Sequence, residues 1–132
     1  MSQADVPSSQ SPQRAADHIL QHVTLCVACD FRVDPGILTS PRRGGPRVAF
    51  ARQVAMYLAH VGFALSFASI GRMFGRDRTT VSHACRVVED RRDENWLDRR
   101  LIALEATCRR ISEDASLRSV GRPDRLRAGR SR

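Results

Sequence analysis

Residues 65–88 read LSFASIGRMFGRDRTTVSHACRVV, and their spacing predicts two short helices joined by a tight turn. Ser66 is placed to cap the first helix, because its hydroxyl can accept a bond from a free N–H of the opening turn. Phe67, Ile70 and Phe74 follow at i, i+3 and i+7 and form one apolar face. Gly75 is the expected stop, since glycine takes the left-handed conformation without a Cβ penalty. Asp77 is the expected cap of the second helix, whose buried face would be Val81, Ala84, Cys85 and Val88. Arg78, Thr79, Ser82 and His83 are left facing outward at its start, with Arg86 a turn further on. This is the layout of a helix-turn-helix, in which the second helix brings the side chains of its N-terminal turns to base edges in the major groove.

The run Ile70-Gly71-Arg72-Met73-Phe74-Gly75-Arg76-Asp77-Arg78-Thr79-Thr80-Val81-Ser82-His83-Ala84-Cys85 resembles the signature of the DNA-binding C-terminal domain of DnaA, the bacterial replication initiator. That signature reads roughly I-G-x-x-F-G-G-R-D-H-T-T-V-x-H-A-C. Upstream, Arg52-Gln53-Val54-Ala55-Met56-Tyr57-Leu58-Ala59 is similar to the family's P-R-Q-x-A-M-x-L-A helix. The resemblance extends over residues 15–111 and implies an all-α fold, a small helical bundle containing a helix-turn-helix, TrpR-like and like domain IV of DnaA. There are two departures in the signature: one glycine of the G-G pair is missing, and Arg78 stands where the family has histidine. In the helix upstream, Ala51 replaces the family's proline.

The chain is short enough for one domain with flanking tails. Aromatic residues make up only 5% of it, so the core must be mostly Val, Leu, Ile and Ala, which favours a helical bundle over a sheet. The formal charge is +8, and all 22 basic residues are arginine. Eight arginines lie between Arg42 and Arg86 against a single acid, Asp77. A second concentration starts at Arg109, with eight arginines against three acids. A basic block centred on a helix-turn-helix is the electrostatic footprint expected for a phosphate backbone. Without lysine, no P-loop (GxxxxGK[ST]) can occur in this sequence. The ATPase module and nucleotide site of full-length DnaA are therefore expected to be missing, leaving a free-standing DNA-reading domain. No long apolar run or secretory leader is evident, so the expected location is the bacterial cytoplasm, at the nucleoid, with the four cysteines reduced.

Residues 1–14, rich in Ser, Gln and Pro, are expected to form a disordered N-terminal tail. A first helix is expected over 15–30, with Ile19, Val23, Cys26 and Val27 facing inward. By the resemblance, residues 31–39 form a short connector that packs Ile37 and Leu38 under the bundle. Residues 40–47, SPRRGGPR, should form an extended basic loop, because their prolines and glycines oppose a helix. The resemblance implies that one arginine of this loop enters the minor groove, with Arg42, Arg43 and Arg47 as candidates. Such an arginine senses groove width rather than individual bases. A helix over 48–61 would bury Phe50, Val54, Leu58 and Val61 and carry Arg52 and Gln53, which the family uses on phosphates. His60 occupies a place that is often basic in the family. A last helix over 95–111 shows Leu97, Leu101, Leu104, Cys108 and Ile111 in a narrow seam, with Trp96 anchoring its start. This seam would pack on the bundle or pair two copies; a monomer is the simpler expectation. Residues 112–132 are expected to be a basic disordered arm with nonspecific phosphate affinity.

Arg78 and Thr79 are the candidates for base contacts. Thr79 keeps the family identity, whereas arginine in place of histidine can clamp guanine O6 and N7 with two bonds. Asp77 serves as a helix cap or a base reader, and Thr80 as helix-start packing, a phosphate contact or a base contact. Ser82, His83 and Arg86 lie one turn further in, where the resemblance places His83 near the DNA backbone. Arg76 flanks the turn and should meet phosphate, and Arg72 projects from the first helix of the motif toward the same role. His18, His22, Cys26 and Cys29 have metal-ligating side chains, but they span about 16 Å of one helix and cannot converge on one ion. No metal, cofactor or catalytic constellation is expected. The expected partner is double-stranded DNA, including a DnaA-box-like site, in control of replication initiation or transcription. The alternatives are a nonspecific nucleoid-type binder and a protein-interaction module competing for partners of DnaA.

Overall fold

The computed structural model describes residues 12–131, with side chains described over 13–111 and at Glu113 and Asp114. Residues 1–11, most of the expected N-terminal tail, lie outside the described residues. Six α-helices follow in order, α1 Pro12–Phe31, α2 Pro35–Leu38, α3 Pro46–Tyr57, α4 Phe67–Phe74, α5 Arg78–Arg91 and α6 Asn95–Ser131. There is no strand among the described residues. The all-α expectation is therefore met.

Helix α1 begins three residues before the expected start, at a proline, whose fixed φ suits a first turn. Its buried face is Leu20, Val23, Val27 and Ala28, while Ile19 and Cys26 pack only partly against the core. The face is thus rotated by about one position from the expected one. Thr24, also buried, satisfies its hydroxyl by donating to the Leu20 carbonyl at 2.7 Å. Arg32, at φ 58°, turns the chain out of α1. Asp34 then caps α2 by accepting from the Gly36 N–H. Of the expected connector pair, Leu38 is fully buried and Ile37 stays 39% exposed.

Helix α3 starts at Pro46, inside the stretch expected to be loop, because proline at the first helical position costs no hydrogen bond. It runs through the centre of the molecule, and Ala51, Val54, Ala55 and Met56 are buried. Its continuation, Leu58–Gly62, is a π-helical turn. Bonding at i→i+5 widens the helix and rotates later residues off the 3.6-residue register. Val61, expected in the core, is therefore 49% exposed. The turn closes with Ala64 at φ 59° and the Leu65 N–H bonded to the Ala59 carbonyl. His60 bonds through Nδ1 to the Leu65 carbonyl at 2.9 Å and stacks on Phe67, with centroids 4.2 Å apart. A carbonyl only accepts, so the proton sits on Nδ1.

Helix α6 closes the core with Leu97, Leu101, Leu104 and Cys108, packing on α1. The expected seam packs inside the molecule. Ile111, at its end, remains partly exposed. Trp96 is 51% exposed and donates from its indole to Glu94, so it does not anchor the helix in the core. The thiols of Cys26 and Cys108 meet between α1 and α6, and burial pushes the Cys108 thiol up. Beyond residue 111 the helix continues to Ser131, where a disordered arm was expected.

A polar network ties α3, α5 and α6 together. The Tyr57 hydroxyl donates to Glu89 at 2.9 Å and accepts from Arg92 at 2.8 Å, and Arg92 pairs with Asp98. Val81 and Val88 of α5, which packs on α3, and Ile70 and Phe74 of α4, which packs on α1 and α5, are fully buried, so the helix-turn-helix is continuous with the core. Each such side chain stabilises the fold by roughly 1.5–3 kcal/mol.

Candidate nucleic-acid interface

The helix-turn-helix forms where its sequence predicts it. Ser66 caps α4, its hydroxyl accepting from the Ser69 N–H at 3.0 Å. Gly75 ends α4 at φ 65°, ψ 38°. The Arg76 N–H returns to the Gly71 carbonyl at 2.8 Å, closing the turn. Asp77 occupies the cap position of α5 with extended backbone, but its side chain makes no capping bond. The expected cap is therefore one of backbone geometry only, and the carboxylate is exposed.

On α5, Val81, Ala84, Cys85 and Val88 are buried as expected. Arg78, Thr79, Thr80, His83 and Arg86 are exposed, and Ser82 is half-buried. Among the described residues, Arg42, Arg43, Arg47, Arg78 and Arg86 spend no side-chain donor on the protein. Their guanidinium groups face solvent with their hydrogen-bonding capacity intact. Arg72 differs, donating to Gln13 and to Ser69.

The basic loop leaves α2 and returns to α3 beside α5. The Arg42 N–H bonds the Ser40 hydroxyl at 3.1 Å. Gly44 turns the loop at φ 71°, where a Cβ would also lie 2.8 Å from Val48. Between loop, α3 and α5 lies a cleft of about 410 Å3, lined by Pro41, Arg43, Gln53, Arg76, Thr80 and His83 among others. The fold thus brings six of the candidate residues, Arg43, Arg52, Gln53, Arg76, Thr80 and His83, around one concavity. Arg78, Thr79 and Arg86 are exposed on α5 outside that lining, while Arg42 and Arg47 are exposed on the loop and at the start of α3.

Two arginines depart from expectation. Arg52 is 6% exposed. Its Nε donates to the Leu38 carbonyl at 2.8 Å, and Nη2 donates to Ile37 at 2.9 Å and Arg42 at 3.0 Å. Nη1 donates to Arg43 at 3.2 Å. A guanidinium has five N–H donors, and four of these are committed to backbone carbonyls. The phosphate role implied for Arg52 by the resemblance is therefore not the one its geometry supports. Arg76 is part-buried and donates from Nη1 to the Ser40 carbonyl at 3.0 Å and to the Phe74 carbonyl at 2.6 Å. Burial, and then the nearby Arg76 charge, hold the Arg52 guanidinium below its ordinary value. Pro41 in the lining and the carbonyls of residues 37, 38, 40, 42 and 43 are parts of the site that sequence patterning missed. No side-chain periodicity reports where a loop carbonyl points.

No helix among the described residues is long and apolar enough to cross a membrane. Residues 20–88 match the family described as bacterial DnaA protein helix-turn-helix. The chromosomal replication initiator protein DnaA of Rhodopseudomonas palustris (strain BisB18) is 43% identical over 86 residues, covering 64% of this chain and 17% of that protein. The DnaA of Bifidobacterium animalis subsp. lactis is 49% identical over 53 residues, which is 39% of this chain and 9% of that one. A crystal structure of a DNA replication initiation factor superposes with a TM-score of 0.66 at 31% identity. It covers 72% of this chain and 29% of its own. The chain thus spans a small part of the length of the relatives it matches.

Proposed function

Since this chain belongs to the bacterial DnaA helix-turn-helix family, a DNA-binding rather than a catalytic module, we propose that it reads double-stranded DNA in a sequence-specific way. Helix α5 enters the major groove, and the loop carrying Arg42 and Arg43 reaches the adjacent minor groove. The observation that carries this reading is the exposed, unspent arginine set of the loop and α5 flanking one cleft, with Asp77 the only acid from Arg42 to Arg86. Gln53, Arg76 and His83 contact phosphates around that cleft, and Arg47 and Arg86 extend the basic footprint on either side. Arg78 and Thr79 supply base contacts at the start of α5, with Thr80 and Ser82 beside them.

Arginine at position 78 clamps guanine where histidine would make a weaker contact, so the preferred site differs from a DnaA box at one base pair. Through such sites the protein regulates replication initiation or transcription. The test is fluorescence anisotropy on a DnaA-box duplex, its single-base variants and a scrambled duplex at near-physiological salt. Binding that falls on particular substitutions supports the reading. Equal binding to all duplexes, lost steeply with salt, defeats it and leaves a nonspecific backbone binder, the reading favoured by the arginine-rich residues from 109 onward.

A further inference from the structure

Helix α2 is only four residues long, and the Ile37 carbonyl at its end, which accepts from the Ser40 N–H at 3.2 Å, still has a second lone pair to offer. The carbonyls of Ile37 and Leu38 at its end, and those of Arg42 and Arg43 in the basic loop, all converge on the guanidinium of Arg52. From the other side, Arg76 in the turn of the helix-turn-helix takes the Ser40 carbonyl. The loop that presents Arg42 and Arg43 is thus fastened by its backbone both to α3 and to the motif that presents α5.

Among the described residues Arg52 has no carboxylate partner. Burying a charge is costly unless hydrogen bonds replace its water, and carbonyl dipoles do this here. A planar fork with five donors can address carbonyls arranged around it, whereas an ammonium is a compact point with three.

We propose that Arg52 is a positioning residue: it does not meet DNA but holds the backbone of residues 37–43, and so sets where Arg42 and Arg43 stand relative to α5. The consequence is that the loop and the recognition helix read DNA as one rigid unit with fixed spacing, and Arg76 completes the fastening. This inference rests on the DNA-binding reading above for its consequence, but not for its structural part.

The test therefore has two arms, both on the full chain. Without DNA, tryptic cleavage after Arg42 and Arg43 is followed by mass spectrometry in the wild type and in Arg52→Lys, with cleavage after Arg86 in α5 as the control for global folding. The expected result is cleavage at the loop about tenfold faster in Arg52→Lys, with the Arg86 site still protected. With DNA, the paired substitution Arg42→Ala/Arg43→Ala is measured in both backgrounds. In the wild type it should cost about tenfold in affinity and lower the salt slope by about 1–2. In Arg52→Lys the same substitution should cost little, because the loop is no longer held in place.

Unchanged loop cleavage, or an equal penalty for losing the loop arginines in both backgrounds, would overturn the proposal. If Arg52→Lys does not fold, Arg76→Met, which removes the bonds to Ser40 and Phe74, is judged by the loop-cleavage comparison, because Arg76 is itself placed at the phosphates. A wild type that binds no duplex removes the DNA reading, while the protease comparison still decides whether Arg52 positions the loop.

Discussion

The α-carbon of Gly71 faces the carbonyl oxygen of Arg76 so closely that a Cβ on residue 71 would lie 2.4 Å from it. The oxygen belongs to the backbone of the turn and cannot swing aside as a side chain would. Ordinarily alanine is favoured over glycine inside a helix by about 1 kcal/mol. Here the contact reverses that sign, and Gly71→Ala should destabilise the fold by roughly 1–3 kcal/mol. Gly75 is the contrasting case: nothing lies within 4 Å of an added Cβ, and only its φ of 65° resists substitution. Gly75→Ala should cost about 1–2 kcal/mol. Urea midpoints for both variants check this, and a stabilised Gly71→Ala protein would refute the close approach.

The two caps of the helix-turn-helix should behave differently. Ser66 makes its capping bond, so Ser66→Ala is expected to cost about 1 kcal/mol. Asp77 makes none, so Asp77→Ala should change stability by less than about 0.5 kcal/mol. Equal losses in thermal unfolding of the two variants would contradict this assignment.

Arg78 and Arg86 lie on the same helix, yet their removal should have different signatures. Arg78→Ala is expected to abolish discrimination at one base pair, worth about 1–3 kcal/mol. Arg86→Ala should weaken all duplexes alike and lower the salt slope by about 1. The anisotropy series with single-base variants separates the two. A uniform loss from Arg78→Ala would mean that it, too, contacts only phosphate.

Burial, reinforced by the Glu89 charge, pushes the Cys85 thiol from 9.0 up to about 11. Because the folded value is raised, the stability linked to the neutral thiol is fully present below pH 9.0 and is lost as pH rises through about 11. Burial raises the Tyr57 phenol as well and acts in the same direction. Urea midpoints should fall across that alkaline interval, and Cys85→Ala should lose part of the fall. An identical decline in the variant would show that Cys85 does not contribute. In the native state at neutral pH, alkylation should reach exposed Cys29 and leave buried Cys85 and Cys108 unmodified.

Where an element follows from neighbours a few residues away, the sequence was enough to read it. Ser66, Gly75 and the apolar positions of α4 and α5 are local signals, and they lie where their spacing put them. Val61 and Trp96 depart from expectation for different physical reasons. A π-helical turn carries no signature in apolar periodicity, so Val61 was assigned the wrong side of its helix. Trp96, expected to anchor the start of α6, instead places its indole against Glu94 at the surface, a pairing that apolar spacing does not report. The loop arginines could be recognised as candidates by composition, but their arrangement around a cleft with Gln53 and His83 could not.

The linear chain contained the motif, its start, turn and stop, and the charge that suits a phosphate backbone, because each depends on side-chain type at short separation. Arg52 marks the boundary of that information. Its acceptors are carbonyls 9 to 15 residues away. Every residue carries a carbonyl, so none is distinguishable in the sequence, and only folding brings four of them around one guanidinium. Packing turned a residue that local chemistry offered to DNA into one committed to the protein, because a buried cation must have its hydrogen bonds met from the nearest polar groups.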